Sequence, residues 1–187
     1  AGLRVINHLA KDSNGKFEFE SDFFPWGCEY YLENGKMMDE DGVEKLRDYD
    51  AIYFGAVGFP GVPDHVSLWG LRLAICQGFD QWANIRPIEF LPGVPRRLNH
   101  PDVDSLNLVL IRENSEGEYS GIGGRNFSGR GPGKEVAVQS ALFTDHGCER
   151  IIRYAFDLAR TRKKKKVTSI TKSNAQQYGM VLWDEVF

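Results

Sequence analysis

The sequence has little of what marks several protein classes. Its 187 residues include only three cysteines and four histidines, and no apolar run approaches the length of a membrane-spanning helix. No signal-peptide pattern opens the chain, and a net charge of −3 provides no general basic field for nucleic acid. We therefore expect a protein that binds neither nucleic acid nor a membrane.

The cysteines and the chain ends are also informative. Cys28, Cys76 and Cys148 are scattered, odd in number and without the spacing of a metal or redox site. Buried thiols of this kind are typical of a reducing compartment, so we expect a cytoplasmic protein. The sequence opens without Met, and no capping signal closes the helical pattern before Phe187. We expect a piece of a longer chain, incomplete at both ends.

Helical and strand patterns alternate along the chain, which is typical of an α/β fold. An apolar content of 42% is enough for a core. Strands are predicted over residues 17–20, 51–54, 104–111, 135–143 and 167–170. Helices are predicted up to residue 10, within 22–38, over 43–46 and 67–84, from 144 or 145, and again at the C terminus.

The stretch after the strand ending at Ile111 carries the strongest functional signal. Arg112 can hold a carboxylate through its planar fork, and Tyr119 offers a phenol that can give or take a proton. Glu113 and Glu116 lie between them. The alternative is a surface turn with a structural salt bridge, and this stretch alone does not decide between the two.

Two other stretches have open interpretations. Gly55-Ala56-Val57-Gly58 follows the predicted strand 51–54, and its backbone could approach a ligand closely, although a tight connection explains it equally well. It lacks the spacing of a dinucleotide-binding motif. The basic run Arg160–Lys166 follows the clearest helix, where cations favour the helix dipole, so it does not indicate nucleic-acid binding.

The segments YFGAVG, FDQWANIRP, FLPGVP, IRENSEGEYSGIGGR, RYAFDLAR and TKSN occur in one order along the chain. Together they resemble the β-decarboxylating dehydrogenases, the family of isocitrate, 3-isopropylmalate, tartrate and D-malate dehydrogenases. The resemblance covers essentially all residues, and VPDHVSLWG, NSEGEYS and TKSN are most similar to the tartrate/D-malate branch. It implies a metal-dependent, NAD-linked oxidation and decarboxylation of a 2-hydroxy dicarboxylic acid.

The resemblance also implies roles for individual residues. Arg86 and Arg112 match arginines that bind the substrate carboxylates. Tyr119 matches the tyrosine that protonates the enolate left by decarboxylation. Lys172 matches a lysine linked to deprotonation of the substrate hydroxyl, and Asn174 a residue near substrate and nicotinamide. In the family this lysine serves the partner subunit's site, so a homodimer is implied.

Cofactor binding is implied only in part. Gly55, Ala56, Val57 and Gly58 correspond to the wall beside the nicotinamide of NAD. The family's ligands for Mg²⁺ or Mn²⁺ would lie beyond Phe187, so no residue of this chain is expected to bind the metal.

One position departs from the family pattern. The family usually has an arginine ten residues before the one matched by Arg86, and this chain has Cys76 there. A thiol cannot form a bidentate pair with a carboxylate. Arg72 lies one helical turn earlier, and we expect it to take over this contact, unless the substrate differs from the usual one.

The implied fold is the two-lobed isocitrate/isopropylmalate dehydrogenase-like α/β fold. Residues 1–84 are expected to form part of the first, cofactor-side lobe, and residues 85–187 most of the second, substrate-side lobe that forms the dimer. Two alternatives stay open: a truncated, non-catalytic dimerisation or binding module, and a 3-isopropylmalate or isocitrate dehydrogenase.

Overall fold

The computed structural model describes residues 1–95, 99 and 106–187. The start of the strand predicted over 104–111 therefore lies outside the described residues. The helices are α1 (Gly2–Asp12), α2 (Cys28–Asn34), α3 (Gly42–Lys45), α4 (Asp64–Ser67), α5 (Ala74–Gly78), α6 (Asp145–Thr161) and α7 (Gly179–Val186). A π-helical turn (Leu68–Leu73) joins α4 to α5. The strands are β1 (Ala83–Glu89), β2 (Asn107–Glu113), β3 (Gly123–Asn126) and β4 (Val136–Gln139).

The helices at both ends of the chain agree with the sequence. The predictions up to residue 10, within 22–38 and over 43–46 are confirmed by α1, α2 and α3, and the C-terminal prediction by α7. The clearest prediction is also confirmed. Thr144 caps α6, since its side-chain oxygen accepts a hydrogen bond from Gly147 N at 2.9 Å.

The helix predicted over 67–84 is wrong in its last third, residues 79–84. It ends at Gly78, and Asp80 adopts a left-handed φ of 47°, which turns the chain away from the helix. The following residues form β1, which includes Arg86 and Pro87. The residue before a proline is pushed towards extended backbone, which favours a strand at Arg86.

Three predicted strands do not form. Within the described residues, segments 17–20, 51–54 and 167–170 pair with no other strand. Their apolar side chains are largely exposed, including Tyr53 at 65% and Ile170 at 76%. A segment with a strand pattern forms a strand only when a second strand supplies hydrogen-bond partners for its backbone N–H and C=O groups. The strands predicted at 104–111 and 135–143 are confirmed within the described residues by β2 and β4.

Both sheets are antiparallel pairs, β1 with β2 and β3 with β4. The apolar core falls into two clusters. The first surrounds Leu71 and Ile75, and the second surrounds Cys148 and Ile151 on α6. The division of the chain at residue 84 stays a prediction.

None of the helices in the described part of the chain has the length and apolar character needed to cross a bilayer.

Candidate functional site

The pairing of β1 with β2 places basic and amide side chains on one face. Asn84 lies opposite Arg112, and Arg86 lies opposite Leu110. Because side chains alternate along a strand and opposite residues share a face, Asn84, Arg86 and Arg112 lie on the same side of the ribbon. The other side carries Ile111, which packs against the second core cluster. The core thus fixes the register that brings the two predicted arginines together.

Asn114, directly after β2, is the centre of this arrangement and is only 3% exposed. Its backbone N–H donates to Trp82 O at 2.8 Å, and its Nδ2 donates to Gln81 O at 3.0 Å. These two bonds direct Oδ1 towards the ribbon, where it accepts from Arg72 Nη2 at 3.0 Å and from Asn84 Nδ2 at 3.4 Å.

Asn84 extends the network to a second arginine. Its Oδ1 accepts from Arg86 Nε at 3.0 Å. Arg72 and Arg86 are therefore joined through two neutral amides, Asn114 and Asn84. These two neutral acceptors add no negative charge beside the guanidinium groups, which suits a site for an anion.

Arg112 and Tyr119 are in direct contact. The guanidinium carbon of Arg112 lies 4.8 Å from the centroid of the Tyr119 ring, a cation–π contact. Gly117, with φ 64° and ψ −132°, makes the turn that returns the chain to Arg112, in a conformation that favours glycine. Gln77 Nε2 on α5 donates to Tyr119 O at 2.9 Å. The predicted carboxylate-binding arginine and the predicted proton donor are thus neighbours.

The two glutamates of this stretch have structural roles. Glu113 Oε2 accepts from the backbone N–H groups of Ser115 at 2.9 Å and Glu116 at 2.6 Å, and its Oε1 lies 3.4 Å from Arg150 Nη2. Arg150 Nη2 also donates to Ser115 Oγ at 2.7 Å. The alternative interpretation, a turn with a structural salt bridge, is therefore correct for Glu113.

Glu116 anchors the same turn to α6. It accepts from Thr144 N at 2.9 Å and from Thr144 Oγ1 at 2.5 Å. A carboxylate at a helix N-terminus is favourable because it faces the positive end of the helix dipole. The approach is so close that a Cβ on Gly147 would lie 2.3 Å from Glu116 Oε2.

Lys172 and Asn174 lie between α6 and α7. Both are exposed, in a turn where Lys172 O accepts from Ala175 N at 3.0 Å and Gln176 N at 2.9 Å. Among the described residues, no hydrogen bond joins the Asn174 side chain to Arg72, Arg86 or Arg112. The role of Lys172 in a partner subunit's site stays a prediction.

Cys76 is half-buried on α5, in the turn after Arg72. The side chain that reaches the network is Arg72, through Asn114. Arg72 must reach this network if it is to take over the carboxylate contact that the family's arginine makes from the position of Cys76.

The loop from Gly55 to Gly58 is open. Gly55, Ala56 and Gly58 are exposed, while Val57 packs against the first core cluster. A Cβ at Gly55 or Gly58 would meet nothing within 4 Å. The backbone of this loop is therefore accessible to a ligand. For a metal ion the residues do not fit, because the described residues contain no cluster of three His, Cys, Asp or Glu side chains.

Sequence reasoning missed Asn84, Asn114 and Gln77. Asn84 shares a strand face with Arg86 two residues later, and this spacing was a usable signal. Asn114 lies within the stretch of strongest signal, directly after Glu113. Its role depends on contacts with α5 and β1, which no local pattern reveals.

The chain matches the family model described as isocitrate/isopropylmalate dehydrogenase over residues 1–187. It is 54% identical over 186 residues to a probable tartrate dehydrogenase/decarboxylase of Agrobacterium vitis, covering 100% of this chain and 51% of that protein. It is 46% identical over 186 residues to the decarboxylating D-malate dehydrogenase of Escherichia coli K12, covering 98% of this chain and 50% of that protein. The chain therefore spans about half the length of the curated relatives it matches.

Solved structures agree on the fold. The isocitrate dehydrogenase of Methylococcus capsulatus matches 91% of this chain and 47% of its own, with a TM-score of 0.74 and 27% identity. A β-decarboxylating dehydrogenase of Thermococcus kodakarensis matches 99% of this chain and 50% of its own, with a TM-score of 0.60 and 28% identity.

Proposed function

Because the chain belongs to the isocitrate/isopropylmalate dehydrogenase family, we propose that it carries the substrate-binding part of an enzyme that oxidises and decarboxylates a 2-hydroxy dicarboxylate. D-malate and tartrate are the substrates that we propose. The relatives named as tartrate and D-malate dehydrogenases support this choice at 46–54% identity. The observation that carries the proposal is the arginine cluster formed by Arg72, Arg86 and Arg112.

The cluster suits a substrate with two carboxylates. Arg86 and Arg112 project from one face of the β1–β2 ribbon, and Arg72 reaches the same network from the π-helical turn. Guanidinium groups bind carboxylates through paired hydrogen bonds, and several of them neutralise a dianion. In this proposal the arginines orient the substrate, and Arg72 takes the place that Cys76 leaves open.

Tyr119 is the proposed proton donor. Loss of the β-carboxylate leaves a carbanion in its enolate form, which must be protonated at carbon to give the product. The contact with Arg112 holds the phenol ring beside a guanidinium that binds the substrate. A positioned O–H group can then deliver the proton by general acid catalysis.

NAD is the proposed oxidant, and when bound it accepts the hydride from the hydroxyl-bearing carbon. The Gly55–Gly58 loop, with its open backbone, is proposed as the wall beside the nicotinamide, together with Asn174. Mg²⁺ or Mn²⁺ is proposed from family membership alone.

We further propose a cytoplasmic homodimer in which Lys172 serves the partner's site. Lys172 is exposed, so its ammonium is accessible to a second copy of the chain, which supports this proposal. In the partner's site the lysine would assist removal of the proton from the substrate hydroxyl.

Turnover of the full-length protein with NAD and Mn²⁺ tests the proposal. D-malate, tartrate, 3-isopropylmalate and isocitrate are compared in parallel. Turnover highest with D-malate or tartrate supports it. Turnover only with isocitrate or 3-isopropylmalate assigns the chain to a sister activity. No turnover with any of the four identifies a non-catalytic module.

A further inference from the structure

We infer that Asn114 is the positioning residue for anion binding at this site, because it fixes the Arg72 guanidinium beside Asn84 and Arg86. The inference rests on the proposed function, in which these arginines bind a hydroxy dicarboxylate. The residue types and spacing of the arginine motifs do not indicate this role for Asn114. The contacts of its buried amide do.

Asn114 and Ser67 are the two buried polar residues of the described chain, at 3% and 5% exposed. A buried amide must find partners for its donors and acceptor, or its burial costs free energy. The Nδ2 of Asn114 donates to Gln81 O, and this bond fixes the orientation of the amide plane. The carbonyl Oδ1 then has a set direction, towards Arg72 and Asn84.

Arg72 needs such a partner because its side chain projects from a different element than those of Arg86 and Arg112. It projects from the π-helical turn Leu68–Leu73, whereas Arg86 and Arg112 project from the strand ribbon. A long arginine side chain samples many rotamers, and holding one of them costs conformational entropy. The 3.0 Å bond to Asn114 Oδ1 selects a rotamer in advance of ligand binding. Preorganisation of this kind increases affinity because less freedom is lost on binding.

The neutral charge of Asn114 is important to this role. A carboxylate at the same place would hold Arg72 as well but would neutralise it, and would repel an incoming dianion. An amide oxygen accepts the hydrogen bond and leaves the guanidinium charge available. The same logic applies to Asn84, whose Oδ1 holds Arg86 Nε at 3.0 Å.

Two substitutions separate positioning from simple structural support. Asn114→Asp keeps an acceptor for Arg72 but loses the donor to Gln81 O and adds a negative charge. Asn114→Leu removes both the donor and the acceptor. Asn34→Leu is the matched control, since exposed Asn34 Nδ2 also donates to a backbone carbonyl, Tyr30 O at 3.0 Å, in helix α2, outside the hydrogen-bond network of Asn114.

The first measurement is made on the folded full-length protein without turnover. The ¹⁵N–¹H signals of the Arg72 guanidinium report its hydrogen bond through the rate of proton exchange. We expect slow exchange in the wild type and in Asn114→Asp, and fast exchange in Asn114→Leu. An unchanged proton-exchange rate in a folded Asn114→Leu variant overturns the inference, whether or not the catalytic activity changes. If Asn114→Leu does not fold, fast exchange in a folded Asn114→Asp overturns it.

The second measurement is the dissociation constant for D-malate. We expect about a tenfold weakening in Asn114→Leu, and also in Asn114→Asp because of charge repulsion, with no change in Asn34→Leu. On an Arg72→Ala background, Asn114→Leu should weaken binding by less than twofold more, since its effect passes through Arg72. Full additivity of the two substitutions overturns the inference. A wild type that binds neither D-malate nor tartrate overturns the proposed function instead. In that case the proton-exchange measurement alone tests whether Asn114 holds Arg72.

Discussion

The guanidinium of Arg112 lies over the ring of Tyr119, with its carbon 4.8 Å from the ring centroid. This contact joins a residue proposed to bind the substrate to the residue proposed to protonate the product. A change to the phenol oxygen should therefore be separable from a change to the ring. The ring contacts the arginine, and the hydroxyl is the proposed proton donor.

Tyr119→Phe tests this separation. The variant keeps the ring under Arg112 but has no proton to give, so we expect kcat to fall about 100-fold or more while KM changes little. Steady-state kinetics with D-malate in the full-length protein measure both constants. An unchanged kcat would mean that Tyr119 is not the proton donor. A rise in KM with constant kcat would instead assign it to substrate binding.

Gly147→Ala tests the anchor between the site turn and α6. The new Cβ would lie 2.3 Å from Glu116 Oε2, so the carboxylate must move off Thr144. We expect a loss of about 1–3 kcal/mol in the free energy of unfolding, measured by urea denaturation. Gly129→Ala is the control, because a Cβ there meets nothing within 4 Å. Equal stability of the two variants would show that the Glu116 contact can relax without loss.

Arg150→Met tests the support behind Asn114. The Arg150 side chain is 18% exposed and pairs with Glu113, which is 14% exposed. Its loss leaves the half-buried Glu113 carboxylate without this cation, although Glu113 keeps its hydrogen bonds to the turn. We expect destabilisation of about 2 kcal/mol or more.

Arg153→Met on the same helix is the control for that substitution. Arg153 is 74% exposed in its pair with Glu149, and we expect its loss to cost no more than about 0.5 kcal/mol. If the two variants unfold at the same urea concentration, the Arg150–Glu113 pair does not stabilise the turn.

These contacts show what the sequence could and could not predict. Helix α6 follows from local signals, a Thr144 cap and an apolar stripe, and the structure agrees. The strand predicted over 51–54 has the right residue types but no ladder partner among the described residues. A helix makes its hydrogen bonds within itself, whereas a strand depends on residues elsewhere, so strand predictions fail where the partner is lacking.

The candidate site shows the same difference between local signals and long-range contacts. Arg86, Arg112 and Tyr119 were predicted because each lies in a segment that resembles the family, and the structure places Arg86 and Arg112 on one ribbon. Asn114 was missed because its importance lies in contacts with Gln81 and Arg72, which are distant in sequence. Long-range hydrogen bonds to a single buried amide leave no periodic pattern.

Acid sensitivity of the first half of the chain is expected to involve Asp39. The ammonium of Lys45, 2.8 Å from Asp39 Oδ2, and the hydroxyl of Tyr30 lower the pKa of that carboxyl. The pKa of Lys45 rises in return to about 12. Because the folded pKa of Asp39 lies below its unfolded value of about 3.9, its stabilisation is present above that pH and is lost as pH falls through the folded pKa.

Asp39→Asn tests this dependence. We expect the variant to unfold at lower urea concentration than the wild type at pH 7, and the difference to shrink as the pH falls below about 4. Urea denaturation at a series of pH values from 7 to about 3 measures it. A difference that stays constant over this range would show that ionisation of Asp39 does not contribute to stability.

The arginine cluster is tested most directly by kcat/KM for D-malate in the full-length protein carrying Arg86→Gln. Arg47→Gln is the control, since exposed Arg47 pairs with Glu44 on a different element. Loss of a charge-assisted pair to a substrate carboxylate costs about 1.5–3 kcal/mol, so we expect kcat/KM to fall by about 10- to 100-fold in Arg86→Gln and to stay unchanged in Arg47→Gln. Equal kcat/KM for the two variants would contradict the assignment of these arginines to the substrate carboxylates.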